Sequence, residues 1–136
     1  MTSKPFSLAV KAVIVDAQGR CLLVRRSREN RAFTGAWEWP GGKVDAGETF
    51  DAAVIRETRE ETSLTVEITG LAGATQFEMP NVHVILLCME ARITGGEVKL
   101  SDEHDASAWV PLDELGSQEL PPPIRDFMLD YARRKK

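Results

Sequence analysis

The chain's pattern predicts a layered α/β (α+β) domain. Short runs rich in Val, Ile and Ala recur between turn residues along most of the 136 residues. One helical stripe spans Phe50 to Thr62, and a second runs from Ile124 to Arg134. Mixed strands with a few interspersed helices pack as layers around one core.

The elements follow in order. Ser7 to Val15 is a strand by composition, Asp16-Ala17-Gln18-Gly19 a turn, and Arg20 to Arg26 the return strand of an expected hairpin. Ser27 to Ala36 is polar and basic and reads as a loop, followed by a short aromatic strand from Trp37 to Pro40. Gly41-Gly42 and Gly47 bracket a further expected loop. Thr49 is placed to cap the helix from Phe50 to Thr62, with Asp51 in the first turn where the helix dipole favours an anion. Leu64 to Thr69 and Ala74 to Glu78 read as two strands. Val82 to Met89 is almost continuously apolar, the signature of a central strand buried on both faces. Gly95-Gly96 makes a turn, Ala108-Trp109-Val110 a short strand and Leu112 to Leu115 a short helix. Pro121-Pro122-Pro123 introduces the last helix, whose apolar face is Ile124, Phe127, Met128 and Tyr131.

Bulk properties narrow the function classes. The composition, 43% hydrophobic and 28% charged, is that of a soluble globular protein. A net charge of −4 offers no basic field for a nucleic-acid duplex, and the basic run Arg133 to Lys136 reads as a helix end. The polar start from Met1 to Pro5 has no signal-peptide character, and no apolar run reaches the roughly 18 residues of a membrane span. Cys21 and Cys88 sit in apolar runs and read as buried thiols, so a cytoplasmic protein is expected.

The chemistry concentrates in Arg56-Glu57-Thr58-Arg59-Glu60-Glu61. On a helix, Glu57, Glu60 and Glu61 share one face, where like charges repel by a few tenths of a kcal/mol. That face continues the stripe of Phe50, Ala53 and Val54, which is expected to dock on the core. Carboxylates on an inward stripe point to a bound cation, and an all-oxygen ligand set suits Mg²⁺ or Mn²⁺ completed by substrate phosphates.

From Gly42 to Leu64 the chain closely resembles the Nudix box, Gly-x5-Glu-x7-Arg-Glu-U-x-Glu-Glu-x-Gly-U with U aliphatic. Gly42, Glu48, Arg56, Glu57, Glu60, Glu61 and Leu64 match, whereas Thr58 replaces the usual aliphatic and Ser63 the usual glycine. Trp37 to Gly41 and Trp109 to Leu115 extend the likeness to the MutT-like branch. The departures bear on packing, because Thr58 brings a hydroxyl and a non-glycine Ser63 costs about 1–2 kcal/mol if the helix ends left-handed. Neither removes a carboxylate.

The resemblance implies a single Nudix domain over residues 1–136, with its box at 42–64, and an α/β/α sandwich around a mixed central sheet. It implies a Mg²⁺ (or Mn²⁺) hydrolase of nucleoside diphosphate-linked compounds, foremost (d)NTP to (d)NMP and pyrophosphate. It assigns metal binding to Glu57, Glu60, Glu61 and the Gly41 carbonyl, ion pairing of these acids to Arg56, and support to Gly42 and Glu48. For the general base it offers Glu103, with Asp102, His104 and Asp105 as neighbours, or a helix glutamate, Glu57 or Glu60. Arg26, Lys43, Glu38 and Trp39 are the candidate substrate contacts, Glu38 reading equally as a structural ion-pair partner and Trp39 as core. A small nucleotide is the expected partner, with no nucleic-acid duplex and no membrane, and a monomer or homodimer is expected. Two readings compete: hydrolysis of ADP-ribose or a dinucleoside polyphosphate, and a silent nucleotide-binding regulatory module.

Overall fold

The computed structural model describes residues 3–30 and 32–135. Met1, Thr2, Arg31 and Lys136, which belong to the polar start, the basic loop and the basic tail, lie outside the described residues. Two sheets form the centre. The first is mixed, in the order β4 (Gly41–Lys43), β1 (Phe6–Ile14), β6 (His83–Gly95), β5 (Thr65–Glu78). Its β1 and β6 run parallel, and the other pairings are antiparallel. The second sheet is antiparallel, in the order β3 (Trp37–Glu38), β2 (Arg20–Arg26), β7 (His104–Pro111).

Strand alternation divides the apolar residues between two cores. Val10, Ala12 and Ile14 of β1 join Ala53 and Val54 of α1 (Phe50–Thr62). Val13 joins Met128, Tyr131 and Ala132 of α2 (Arg125–Arg134) on the other side. The helices therefore belong to opposite layers, the mixed α+β architecture expected.

Several expectations need correction. β1 and β2 do not pair as a hairpin: a single bridge, Val15 to Cys21, links them before they enter different sheets. The turn is as read, with Asp16 Oδ1 accepting the Gln18 and Arg20 N–H groups at 2.9 Å each. The strands diverge because β2 buries both faces, Leu22 in one core and Cys21 and Leu23 in the other. Gly41-Gly42 is not loop but edge strand. Leu64–Thr69 and Ala74–Glu78 are one strand, β5, whose register shifts near Gly70 and Gly73 absorb the apparent break. Phe50 does not dock on the core and is 49% exposed. β6 lies centrally, but Ile85 is exposed, so it is not dry on both faces.

The boundaries of α1 match the sequence reading, whereas α2 begins at Arg125 and Ile124 ends a 3-10 turn before it. Thr49 Oγ1 accepts the Ala52 N–H at 3.4 Å. Ser63 ends α1 in the left-handed region at φ 66°, and its hydroxyl donates to Lys99 O at 3.0 Å, which offsets part of the strain. Thr58 is fully buried, and its hydroxyl has no partner among the described residues. A buried unpaired hydroxyl costs about 1–3 kcal/mol. Thr58→Val is therefore expected to raise unfolding free energy by about 1 kcal/mol in urea melts; a destabilised variant would show that the hydroxyl is satisfied.

Candidate active site

The burial of Ala53 and Val54 fixes the rotation of α1 and carries Glu57 and Glu61 inward. Glu61 is 3% exposed, Glu57 is half-buried and Glu60 is exposed. Its inner end meets β4, where the Gly41 N–H donates to Glu61 Oε1 at 3.0 Å. Glycine is required at 41, where at φ +153° a Cβ would lie 2.0 Å from Val10 O; a Cβ on Gly42 would lie 2.5 Å from Glu57 Oε2 and displace that side chain.

Arg56 ties the outer acids together. Nε and Nη2 donate to Glu48 at 2.7 and 2.9 Å, while Nη1 donates to Glu57 Oε1 at 3.0 Å and Glu60 Oε1 at 2.9 Å. Nη2 also reaches Lys43 O at 3.2 Å, joining the helix to the end of β4. Hydrogen bonding to Arg56 holds Glu48 at about 2, and the same pairs raise the Arg56 guanidinium above its ordinary value.

The inner acids behave oppositely. Burial pushes Glu61 up to about 8, against the opposing Lys11 charge and the Gly41 N–H, with Glu38 and Glu57 adding repulsion. Burial also raises Glu57, and the charges of Glu60 and Glu103 add to it. Glu103 is exposed on the turn before β7, where its carbonyl accepts the Ser27 N–H at 2.9 Å and Asn30 Nδ2 at 2.6 Å. That turn brings its charge within influence of Glu57, whereas Asp105 pairs with Arg25 at 2.7 Å.

A second cluster surrounds Glu38. Its Oε1 receives Lys11 Nζ at 3.2 Å, and its Oε2 receives Arg26 Nη1 at 3.0 Å and faces His104 Nε2 at 2.9 Å. Burial alone would raise Glu38, but Lys11, His104 and Arg26 outweigh it and hold the carboxyl at about 2. The other ring nitrogen of His104 lies 3.9 Å from Glu61 Oε1, so this histidine stands between the two clusters. Beside them opens a cavity of about 260 Å³, lined by Lys11, Arg26, Glu38 and Lys43 among apolar walls that include Phe33 and Phe77.

The structure therefore brings Arg26, Lys43, Glu38, Gly41, Gly42 and the α1 acids to one region. Trp39 is the correction: it is 0% exposed, packed edge-on to Phe127 and Tyr131, and offers no ring face to a ligand. Lys11 was missed. Its signal was a single cation inside the apolar run Leu8 to Ile14. The sequence offers His104 only as a neighbour of the candidate base Glu103.

A family model described as the NUDIX domain matches residues 5–131. The chain belongs to the Nudix hydrolase family, in its MutT-like branch. It is 34% identical over 117 residues to a Mycobacterium tuberculosis protein named putative 8-oxo-dGTP diphosphatase 2, covering 85% of this chain and 82% of that one. It is 34% identical over 104 residues to an ADP-ribose pyrophosphatase of Methanocaldococcus jannaschii, covering 75% of this chain and 60% of that one. The MutT protein structure from Methanosarcina mazei Go1 superposes with a TM-score of 0.89 at 36% identity, covering 100% and 99% of the two chains.

The ionisation pattern predicts a pH profile. Glu61, raised from 4.5 to about 8, binds more protons folded than unfolded across that window, so metal-free stability falls as pH rises through it. Glu38 and Glu48, lowered from 4.5 to about 2, lose their contribution as pH falls between those values. Melting temperature without metal should therefore peak near the common 4.5 origin and decline toward 8, and Glu61→Gln should flatten the alkaline decline. A melting temperature that climbs across the alkaline window would contradict this assignment.

Proposed function

We propose that the chain is a Mg²⁺- or Mn²⁺-dependent pyrophosphohydrolase that cleaves (d)NTP to (d)NMP and pyrophosphate. The single supporting observation is the placement of Glu57 and Glu61 against the Gly41–Gly42 backbone, beside a cavity carrying both cations and aromatic walls. Residues 1–136 act here as one Nudix domain, a cytoplasmic one in keeping with its buried free thiols Cys21 and Cys88.

The donor set fits a hard cation by its chemistry: carboxylates at three positions of one helical turn, two of them raised by burial despite the nearby charges of Arg56 and Lys11. As placed they do not converge, and no three acidic or histidine side chains do so among the described residues. Arg56 Nη1 lies between Glu57 and Glu60. Glu57, Glu60 and Glu61 would hold the metal, with the Gly41 carbonyl beside them, after side-chain rotation releases Arg56 from the first two. When bound, a divalent cation supplies the charge that neutralises phosphoryl oxygens.

The remaining work falls to the chain. The cavity holds the base, with Arg26 and Lys43 as cationic contacts. Phosphoryl transfer requires alignment and neutralisation more than covalent chemistry. Water delivers its oxygen to one phosphorus of the α–β bridge, the bridging P–O bond breaks with its electron pair leaving on the other phosphate, and Glu103 takes the water's proton. Arg56 and Glu48 keep α1 in register with the end of β4. Hydrolysis of ADP-ribose is the second reading, favoured by the Methanocaldococcus relative.

Glu60→Gln and Glu61→Gln are each expected to lower kcat by orders of magnitude while keeping a folded circular-dichroism spectrum. Glu103→Gln should cost roughly 10²–10⁴-fold in kcat. Unchanged rates at saturating Mg²⁺ would remove these residues from the mechanism. A panel of nucleoside triphosphates assayed for pyrophosphate should show turnover, and turnover of ADP-ribose alone would transfer the assignment to the second reading.

A further inference from the structure

We propose that Ser27 and Asn30, on the loop after β2, are positioning residues that clamp the Ser101–His104 turn and thereby set the direction in which Glu103 presents its carboxylate. The proposal rests on the reading of Glu103 as general base, and it names what holds that base in place.

Strand pairing stops short of Glu103. Arg25 pairs with Ala106 and Arg26 with His104, so Asp105 is an extra residue in β7 and the register slips there. A bulge of this kind bends its strand and re-aims the residues beside it. Glu103 lies just beyond the last pair, and the turn that carries it takes its support from elsewhere.

Three hydrogen bonds from one loop supply that support. Ser27 Oγ donates to Asp102 O, the Ser27 N–H donates to Glu103 O at 2.9 Å, and Asn30 Nδ2 donates to the same oxygen at 2.6 Å. From the inner side, the His104 N–H donates to Ser101 O at 3.2 Å and the Ser101 N–H to Glu61 O at 3.1 Å. A peptide unit is planar, so fixing the direction of its carbonyl or N–H orients the whole unit. The Asp102 carbonyl belongs to the unit before the Glu103 Cα. The Glu103 carbonyl and the His104 N–H belong to the unit after it. With both units held, φ and ψ of Glu103 are set and its Cα–Cβ bond has one direction. Glu103 itself is exposed, which leaves its carboxylate open to water, and its charge acts on Glu57 of α1.

The clamp is braced within its own loop. Ser27 is buried, and its Oγ accepts the Glu29 N–H at 3.3 Å, while Asn30 Nδ2 also donates to Ser27 O at 3.2 Å. Farther along, the loop supplies Ala32 and Phe33 to the cavity wall, whereas Ser27 and Asn30 are not among the described residues that line it. Release of the clamp therefore acts on the turn. A general loosening of the loop would instead act on the cavity, and so on KM.

Initial rates at saturating Mg²⁺, with whichever of the triphosphates or ADP-ribose is turned over fastest, separate the two effects. Asn30→Ala should lower kcat roughly 10–100-fold with KM little changed. Asn30→Asp, which keeps the shape and removes the donors, should do the same, and Ser27→Ala should shift kcat in the same direction. In a Glu103→Gln background, Asn30→Ala should cost little more, because no base remains to be placed. An equal fold-loss from Asn30→Ala in both backgrounds, or a loss carried by KM, would overturn the proposal. Unchanged kcat in Asn30→Ala beside a large loss in Glu103→Gln would overturn it and leave the base reading intact. Full activity in Glu103→Gln would remove the base reading, and the clamp's role with it. A parent chain that turns over none of these compounds would remove both.

Discussion

The burial of Glu61 is the constraint on which the rest of the site depends. A carboxylate left 3% exposed at the inner end of a helix is costly to ionise unless charge or hydrogen bonds reach it. The chain provides one N–H from Gly41 and the nearby charge of Lys11, and these do not prevent the rise to about 8. Burial is the chief cause of that rise. Much of the surrounding architecture serves this placement. β4 is built of glycines so that backbone passes close to β1 and to the acids, and Ala53 and Val54 fix the helix face.

Two ionic clusters with different jobs flank this acid. The outer one is a fork, with one guanidinium engaging Glu48, Glu57 and Glu60. It is partly exposed, so its pairs add little stability individually and act mainly in positioning. The inner one is more deeply buried and gathers two cations and an imidazole about the Glu38 carboxylate, which is 5% exposed. His104 stands between the two clusters, its Nε2 2.9 Å from Glu38 Oε2 and its Nδ1 3.9 Å from Glu61 Oε1.

The sequence made the local features legible and concealed the distant ones. α1 was readable to the residue because cap, dipole preference and apolar spacing all lie within its own span. The box carboxylates, Arg56 and Glu48 were readable because their spacing is a local pattern. The divergence of β1 from β2 was not, since a turn of the right composition does not specify whether its strands pair. The continuity of β5 was hidden because glycines at its register shifts resemble strand ends. Trp39 and Glu38 sit in one aromatic dipeptide run, yet alternation sends the first into the core and the second into an ion-pair cluster. Lys11 and His104 meet Glu38 across sequence separations of 27 and 66 residues, which no local pattern encodes.

The central proposal is that the acids of α1 form a site completed by a divalent cation. Calorimetric titration of the metal-free protein with Mn²⁺, above the pH at which Glu61 ionises, tests it most directly. The account predicts a saturable site whose affinity collapses in Glu61→Gln. A titration showing no saturable site, or one indifferent to that substitution, would contradict it.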